Sequence, residues 1–153
     1  MGRKTPRLFT PIESLKELYC KGADLYGDKI LFRYHTKEGS IDTLTYSQFK
    51  HKTERIAAGF DAIGLSGKRI AVLGETSPEW FSVYLATVST GGVIIPLDKE
   101  LVPEEIAGFL NTSSADAVVF SRSFNKKYPV FKNNVSTVKK FIPMDIDNYD
   151  FGD

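Results

Sequence analysis

Residues 74–98 read GETSPEWFSVYLATVSTGGVIIPLD and follow the apolar run Ile70-Ala71-Val72-Leu73. A strand, a glycine turn and a helix start are the parts of a phosphate cradle, where free backbone N–H groups and the helix dipole meet an anion. The N–H count argues against that chemistry here. Ser77 suits the N-cap and takes an N–H of the first turn. Pro78 suits the first helical position and has no N–H to give. Glu75 places negative charge where a phosphate would sit. Neither the GxGxxG nor the GxxxxGK[ST] spacing is present. The stretch reads as a capped joint between a strand and a helix.

The other chemistry-bearing residues have equally plain readings. Gly64-Leu65-Ser66-Gly67-Lys68 looks like a piece of a nucleotide loop, but it precedes a strand and has no Ser or Thr after Lys68. Gly91-Gly92 follows its helix and so terminates it. Glu104 and Glu105 open a helix behind Pro103, where carboxylates favour the dipole. Being adjacent, they project apart and cannot pair as acid and base. His51 sits among Lys50, Lys52 and Arg55 on a solvated helix face, and His35 falls in a loop. Trp80 reads as a packing anchor. Cys20 reads as a small apolar helix residue. A single cysteine allows no intrachain disulfide and no zinc site of paired cysteines. No serine or cysteine stands in a triad signature. The sequence therefore assigns no catalytic, cofactor-binding or metal residue.

The elements that would position these residues follow from periodicity. Residues 11–26 carry Ile12, Leu15, Leu18 and Tyr19 at helical spacing, closed by Gly27. ILFRY (30–34) and IDTLT (41–45) flank the polar HTKEGS and predict a hairpin. Thr45-Tyr46-Ser47-Gln48 fits a capping box. The helix it opens, about 46 to 63, has Phe49, Ile56, Ala57, Phe60 and Ile63 on one stripe, with Gly64 as its stop. Strands then begin at Arg69, Val93 and Ala117, 24 residues apart, each followed by a helical or Lys-rich segment. TVKKFIPM (137–144) adds a fourth strand. Such β-α units build a parallel sheet with right-handed crossovers, and near-continuous apolar strands suit a sheet covered on both faces. A doubly wound domain usually has five or more parallel strands. With four, the sheet is expected to be incomplete, and 145–153 reads as a disordered acidic tail.

The bulk numbers fit a single globular unit: 153 residues, 42% hydrophobic, 25% charged, net charge +1. Nothing in that balance points to nucleic acid or a membrane surface, both of which usually need a basic patch. No apolar run reaches transmembrane length, and MGRKTPRLFT lacks the apolar core of a signal peptide. A cytoplasmic location is the expectation.

The ordered set of motifs resembles a known family. LTYSQFKHKTERIAAGF is similar to the LTYxEl helix of AMP-forming acyl-CoA synthetases, the adenylate-forming superfamily. IGLSGKRIAVLGETSPEWFSVYLATVSTGGVIIPLDKELVPEEIAGFLNTSSADAVVF resembles their next block. There a G-x-x-x-G-[DK]-[RK]-[VI]-[AG] strand is followed by N-x-P-E-W and G-[AG]-[VI]-x-x-P-L-[DN]. The correspondence runs from about Tyr26 to Ser121, with Thr76-Ser77 standing where Asn-x is commonest. PLDKELVPEEI is most similar to bacterial long-chain fatty acid CoA ligases. The resemblance implies that 1–153 is a partial AMP-binding N-terminal domain that stops before the phosphate loop. It further implies a parent that uses ATP, Mg²⁺ and coenzyme A to convert a fatty acid to acyl-CoA through an acyl-adenylate. The family's TSGTTGxPKG, YGxTE and TGD blocks and its C-terminal lysine have no counterpart here, so no family site residue carries over. The piece is therefore expected to be inactive by itself. Its expected partner is the remainder of a synthetase chain, and its bare sheet edge invites self-association. The alternative is a stand-alone, non-catalytic α/β interaction module.

Overall fold

A computed structural model of the protein describes residues 11–36 and 39–144. The tail 145–153, expected to be disordered, lies outside the described residues. The first helix, α1 (Leu15–Tyr26), starts where Ser14 Oγ accepts the Glu17 N–H at 3.1 Å and ends at Gly27, whose φ is +46°. Its burial corrects the expected apolar stripe. Ile12, Leu15 and Leu18 are 41%, 43% and 46% exposed, while Tyr19 and Ala23 are buried. The small residues decide this. Gly22 lies under the Tyr46 ring, where an added Cβ would stand 3.3 Å from Cδ1. Tyr19 also meets Ser89 Oγ at 3.3 Å. Close approach and a hydroxyl partner thus select the Tyr19 side over the leucine side.

The hairpin strands β1 (Ile30–His35) and β2 (Ile41–Thr45) pair antiparallel. Thr36 and Ser40 close the loop through a backbone bond and a hydroxyl contact, both 2.8 Å. Next comes α2 (Tyr46–Ala62), opened by the expected capping box. Thr45 Oγ1 accepts the Gln48 N–H at 3.2 Å, and Gln48 Oε1 accepts the Thr45 N–H at 2.9 Å. Gly64 stops it at φ +75°, and Leu65 tucks into the core beyond. Phe49 and Phe60 of the expected stripe are buried, but Ile63 at its end is half exposed.

Four parallel strands form the main sheet: β3 (Arg69–Leu73), β4 (Val93–Leu97), β5 (Ala117–Phe120) and β6 (Lys140–Pro143). Their spatial order is β4-β3-β5-β6. The connecting helices are α3 (Pro78–Ser89), α4 (Pro103–Thr112) and α5 (Tyr128–Asn133), with a 3-10 turn over Arg122–Phe124 before α5. The sheet is covered on both faces, and the pleat sorts the side chains. Ile70, Val72, Ala117 and Val119 join Phe60, Val83 and Ala86 under α2 and α3. Ala71, Leu73, Val118 and Phe120 join Ile106, Leu110 and Phe131 under α4 and α5. Phe120, Tyr128, Phe131 and Phe141 form one ring cluster on that second face, with centroids 5.1 to 6.4 Å apart.

The two outer edges differ. The Val93 N–H donates to Lys68 O, so Val93, Ile95 and Leu97 turn their nitrogens toward β3. Ile94 and Pro96 turn theirs outward, and Pro96 has no N–H. One donor therefore remains along β4, as suits an edge strand. On β6 the Lys139 N–H donates to Asp116 O, which turns the Lys140 and Ile142 N–H groups outward. Pro143 faces inward, and the Met144 N–H takes over its bond to Phe120 O at 2.8 Å.

Candidate functional site at the strand reversal

Open α/β sheets bind ligands outside the carboxyl ends of the strands, where the strand order reverses. Here that point lies between β3 and β5, because α3 carries the chain to one side of β3 and α4 carries it back to the other. The loops that meet there are 74–77 and 121–125. They are joined directly. The Ser121 N–H donates to Leu73 O at 2.9 Å, and Ser121 Oγ donates to Glu75 Oε2 at 2.8 Å. Ser123 Oγ stands 2.7 Å from Ser121 Oγ. A Cβ on Gly74 would come within 2.9 Å of Ser121 Cβ, so glycine is what lets the loops touch. Burial by itself would raise the Glu75 pKa. Hydrogen bonds from its own N–H, Ser121 and Ser123, with the charge of Lys99, outweigh that and hold the carboxyl below its ordinary range. The crevice is thus closed by an anionic, hydroxyl-tied latch.

The helix start beside it has its N–H groups in use. Pro78 has none, and the Trp80 N–H goes to Ser77 Oγ at 3.2 Å. The Phe81 N–H goes to Ser77 O at 3.1 Å, and the Glu79 N–H bonds its own carboxylate. A phosphate would have to displace each of these. What the terminus holds is Glu79 itself, paired across the helices with Lys52 of α2. Burial pushes the Glu79 carboxyl up, but the Lys52 hydrogen bond and charge, its own N–H and Ser77 together bring it below the ordinary value. Phe32 of the hairpin packs against α2 and α3, its ring 5.2 Å from that of Phe49 and 5.7 Å from that of Phe81. A folded-state pKa below the unfolded one stabilises above the unfolded value, and that contribution disappears as pH falls through the folded value. Acid unfolding curves of the protein and of Glu79→Gln should therefore be well separated at neutral pH and converge in acid. Parallel curves at all pH values would show that the pair contributes nothing.

The remaining candidates stay scattered. His51 and His35 lie far apart in the chain, on α2 and at the end of β1, and His51 is exposed near Glu54. Glu105 is spent on its own helix start, accepting the Val102 N–H at 3.1 Å. Trp80 stacks on Tyr84 with centroids 5.6 Å apart. Cys20 is half-buried on α1. Among the described residues no three of His, Cys, Asp and Glu come together as a metal site would need. A concavity of about 240 Å³ lies along the β4 edge, lined by Ile95, Leu97, Leu101 and Phe109 among others. It is apolar apart from Asp98 and Ser113 and offers no reactive pair. Glu79 stands in the P-E-W motif, but nothing in the sequence pairs it with Lys52 or pairs Ser121 with Glu75. Only the strand order and the helix packing bring them together.

Comparison with known proteins fits this architecture. The model of the AMP-binding enzyme family matches residues 21–149. The chain belongs to this family. The crotonobetaine/carnitine–CoA ligase of Salmonella paratyphi A is 25% identical over 126 residues, which is 82% of this chain and 24% of the ligase. The enzyme of the same description from Citrobacter koseri is 26% identical over 121 residues, 78% of this chain and 23% of its own. This AMP-binding chain thus spans about a quarter of the length of the curated relatives it matches. Among solved structures, coronafacic acid ligase from Pectobacterium brasiliense superposes with a TM-score of 0.78 at 18% identity, over 90% of this chain and 27% of that one. Mycobacterium tuberculosis fatty acyl CoA synthetase gives 0.73 at 19%, over 84% and 26%. These likenesses establish the fold: a parallel four-stranded sheet with a short antiparallel hairpin, as in part of a larger ligase.

Proposed function

We propose that this chain is the N-terminal part of an AMP-forming acyl-CoA ligase that acts on long-chain fatty acids. The family match over residues 21–149 carries the ligase reading. The run PLDKELVPEEI, similar to that of bacterial long-chain fatty acid CoA ligases, supports the long-chain acid. The curated relatives named for crotonobetaine and carnitine mark the competing acid. The parent would use ATP, Mg²⁺ and coenzyme A in the cytoplasm. Domain 1–153 would serve as the scaffold on which the rest of the ligase assembles, its remaining three quarters being the principal partner.

The chain itself is proposed to be inactive. Adenylyl transfer needs cationic and N–H groups aimed at the phosphates. The start of α3 at the strand reversal has its N–H groups taken and carries Glu79. Purified 153-residue protein is expected to give no ATP–pyrophosphate exchange with palmitate, and clear exchange would refute inactivity. A reading frame that continues downstream into a TSGTTGxPKG block would support the ligase reading; lack of that block in every frame would overturn it. In the whole ligase, palmitate should exceed carnitine in kcat/KM, and the reverse order would reassign the acid.

The outward N–H groups of Lys140 and Ile142 favour a second reading, an interaction module that pairs through β6. It predicts concentration-dependent association in gel filtration that Ile142→Pro abolishes; a monomer at all concentrations would dismiss it.

A further inference from the structure

Residues 117–144 contain six basic side chains and no acidic one, and the DIDNYDFGD that follows, 145–153, contains four aspartates and no basic residue. The basic part folds as β5, the 3-10 turn, α5 and the edge strand β6. Lys126, Lys132, Lys139 and Lys140 are exposed there, and among the described residues none is in an ion pair. The outer edge of β6 presents the N–H groups of Lys140 and Ile142. The two faces of β6 differ. On one, Ile142 and Met144 are half-buried against the core that Trp80 also joins. On the other, Phe141 lies beside Lys132, whose Nζ is 6.0 Å from the ring centre.

We propose that the acidic segment 145–153 turns back and docks antiparallel along the β6 edge, covering its free donors. The segment leaves β6 directly after Met144, and Asp145, Asp147 and Asn148 are residues that favour a reversal. An antiparallel return needs only a short turn. Nine residues extend to about 30 Å, and the four of β6 span about 10 Å, so the segment is long enough to lie along the whole strand. Tyr149 and Phe151 alternate with Asp150 and Gly152, the period of a strand with one apolar face. Apolar fit selects the register that puts Tyr149 and Phe151 on the face of Ile142 and Met144. In that register the pleat turns Asp150 to the face of Phe141 and Lys132, and Asp153 to the face of Lys140. The acidity that by itself gives disorder thus finds unpaired lysines opposite it. A second copy is the competing occupant, but two β6 edges side by side would set Lys139 and Lys140 against like charges. The proposal does not depend on the ligase reading.

Amide hydrogen exchange of the full 153-residue chain tests it, with Ile94, whose N–H points outward on the opposite edge, as the reference. After correction for intrinsic rates, the Lys140 and Ile142 N–H groups should exchange about tenfold more slowly than that of Ile94, at every protein concentration. The variant Asp145→Asn/Asp147→Asn/Asp150→Asn/Asp153→Asn should lose most of that protection, since several weak surface ion pairs add to about a tenfold effect. Glu13→Gln/Asp28→Asn/Glu100→Gln/Glu104→Gln makes the same change in charge ahead of α1, ahead of β1 and at the start of α4, and should keep it. A nitroxide on Gly152→Cys in a Cys20→Ala chain should broaden the amide signals of Lys140 and Ile142 and spare that of Ile94. Exchange of Lys140 and Ile142 as fast as Ile94, protection that appears only as concentration rises, equal protection in the two quadruple variants, or no broadening at β6 would each overturn the proposal.

Discussion

Replacing Gly92 by alanine is expected to destabilise the protein by about 3 kcal/mol, the upper end for forcing atoms into packed space. An added Cβ would stand 2.7 Å from Lys68 O, 2.9 Å from Thr87 O and 3.1 Å from Thr87 Cγ2. Two of the three are main-chain oxygens already committed. Lys68 O accepts the Val93 N–H at 2.9 Å, and Thr87 O accepts the Gly92 N–H at 3.0 Å. Neither can retreat without opening the joint between α3 and β4. Gly91 supplies the control. Its φ is +75° and its Cβ would meet open space, so Gly91→Ala should cost about 1 kcal/mol, from left-handed backbone alone. Urea midpoints at constant m-value measure both. Equal losses at the two positions would mean that the clash is relieved at little cost.

Phe131→Ala should cost about 3–5 kcal/mol, the range for deleting a buried aromatic ring. Phe131 is fully buried, and its ring meets Phe120, Tyr128 and Phe141 at centroid distances of 5.7 to 6.4 Å. Those partners come from β5, α5 and β6, so one ring fastens the last β-α unit to the sheet. Against a total stability of about 5–15 kcal/mol for an ordinary domain, the loss would remove from about a fifth to all of it. Phe109→Ala is the matched control. That ring is 52% exposed at the β4 edge, and its removal should change stability by about 0.5 kcal/mol or less. A loss at Phe131 no larger than at Phe109 would show that α5 is not fastened through this ring.

Much of the local structure is legible in the sequence because it depends on neighbours in the chain. Thr45 and Gln48 form their capping box with each other, Ser77 caps α3 within three residues, and Gly64 stops α2 by its own backbone freedom. The 24-residue spacing of Arg69, Val93 and Ala117 dictates parallel β-α units, and the apolar strands dictate cover on both faces. The order of motifs also identified the family. Burial of α1 was not legible. Leu15, Leu18 and Tyr19 are all apolar enough to dock, and only the closeness of Tyr46 and Ser89 settles which stripe faces inward. The order β4-β3-β5-β6 was not legible either, because periodicity carries no information on which side of β3 a returning strand is laid. That order places Ser121 against Glu75, 46 residues earlier, and closes the crevice where a ligand would enter. It also fixes which edge keeps its donors, leaving Pro96 to blunt one side while Lys140 and Ile142 leave the other open. Sequence alone determined what each segment becomes. The tertiary structure decided which segments meet, because long-range contacts are selected by fit between surfaces and not by spacing along the chain.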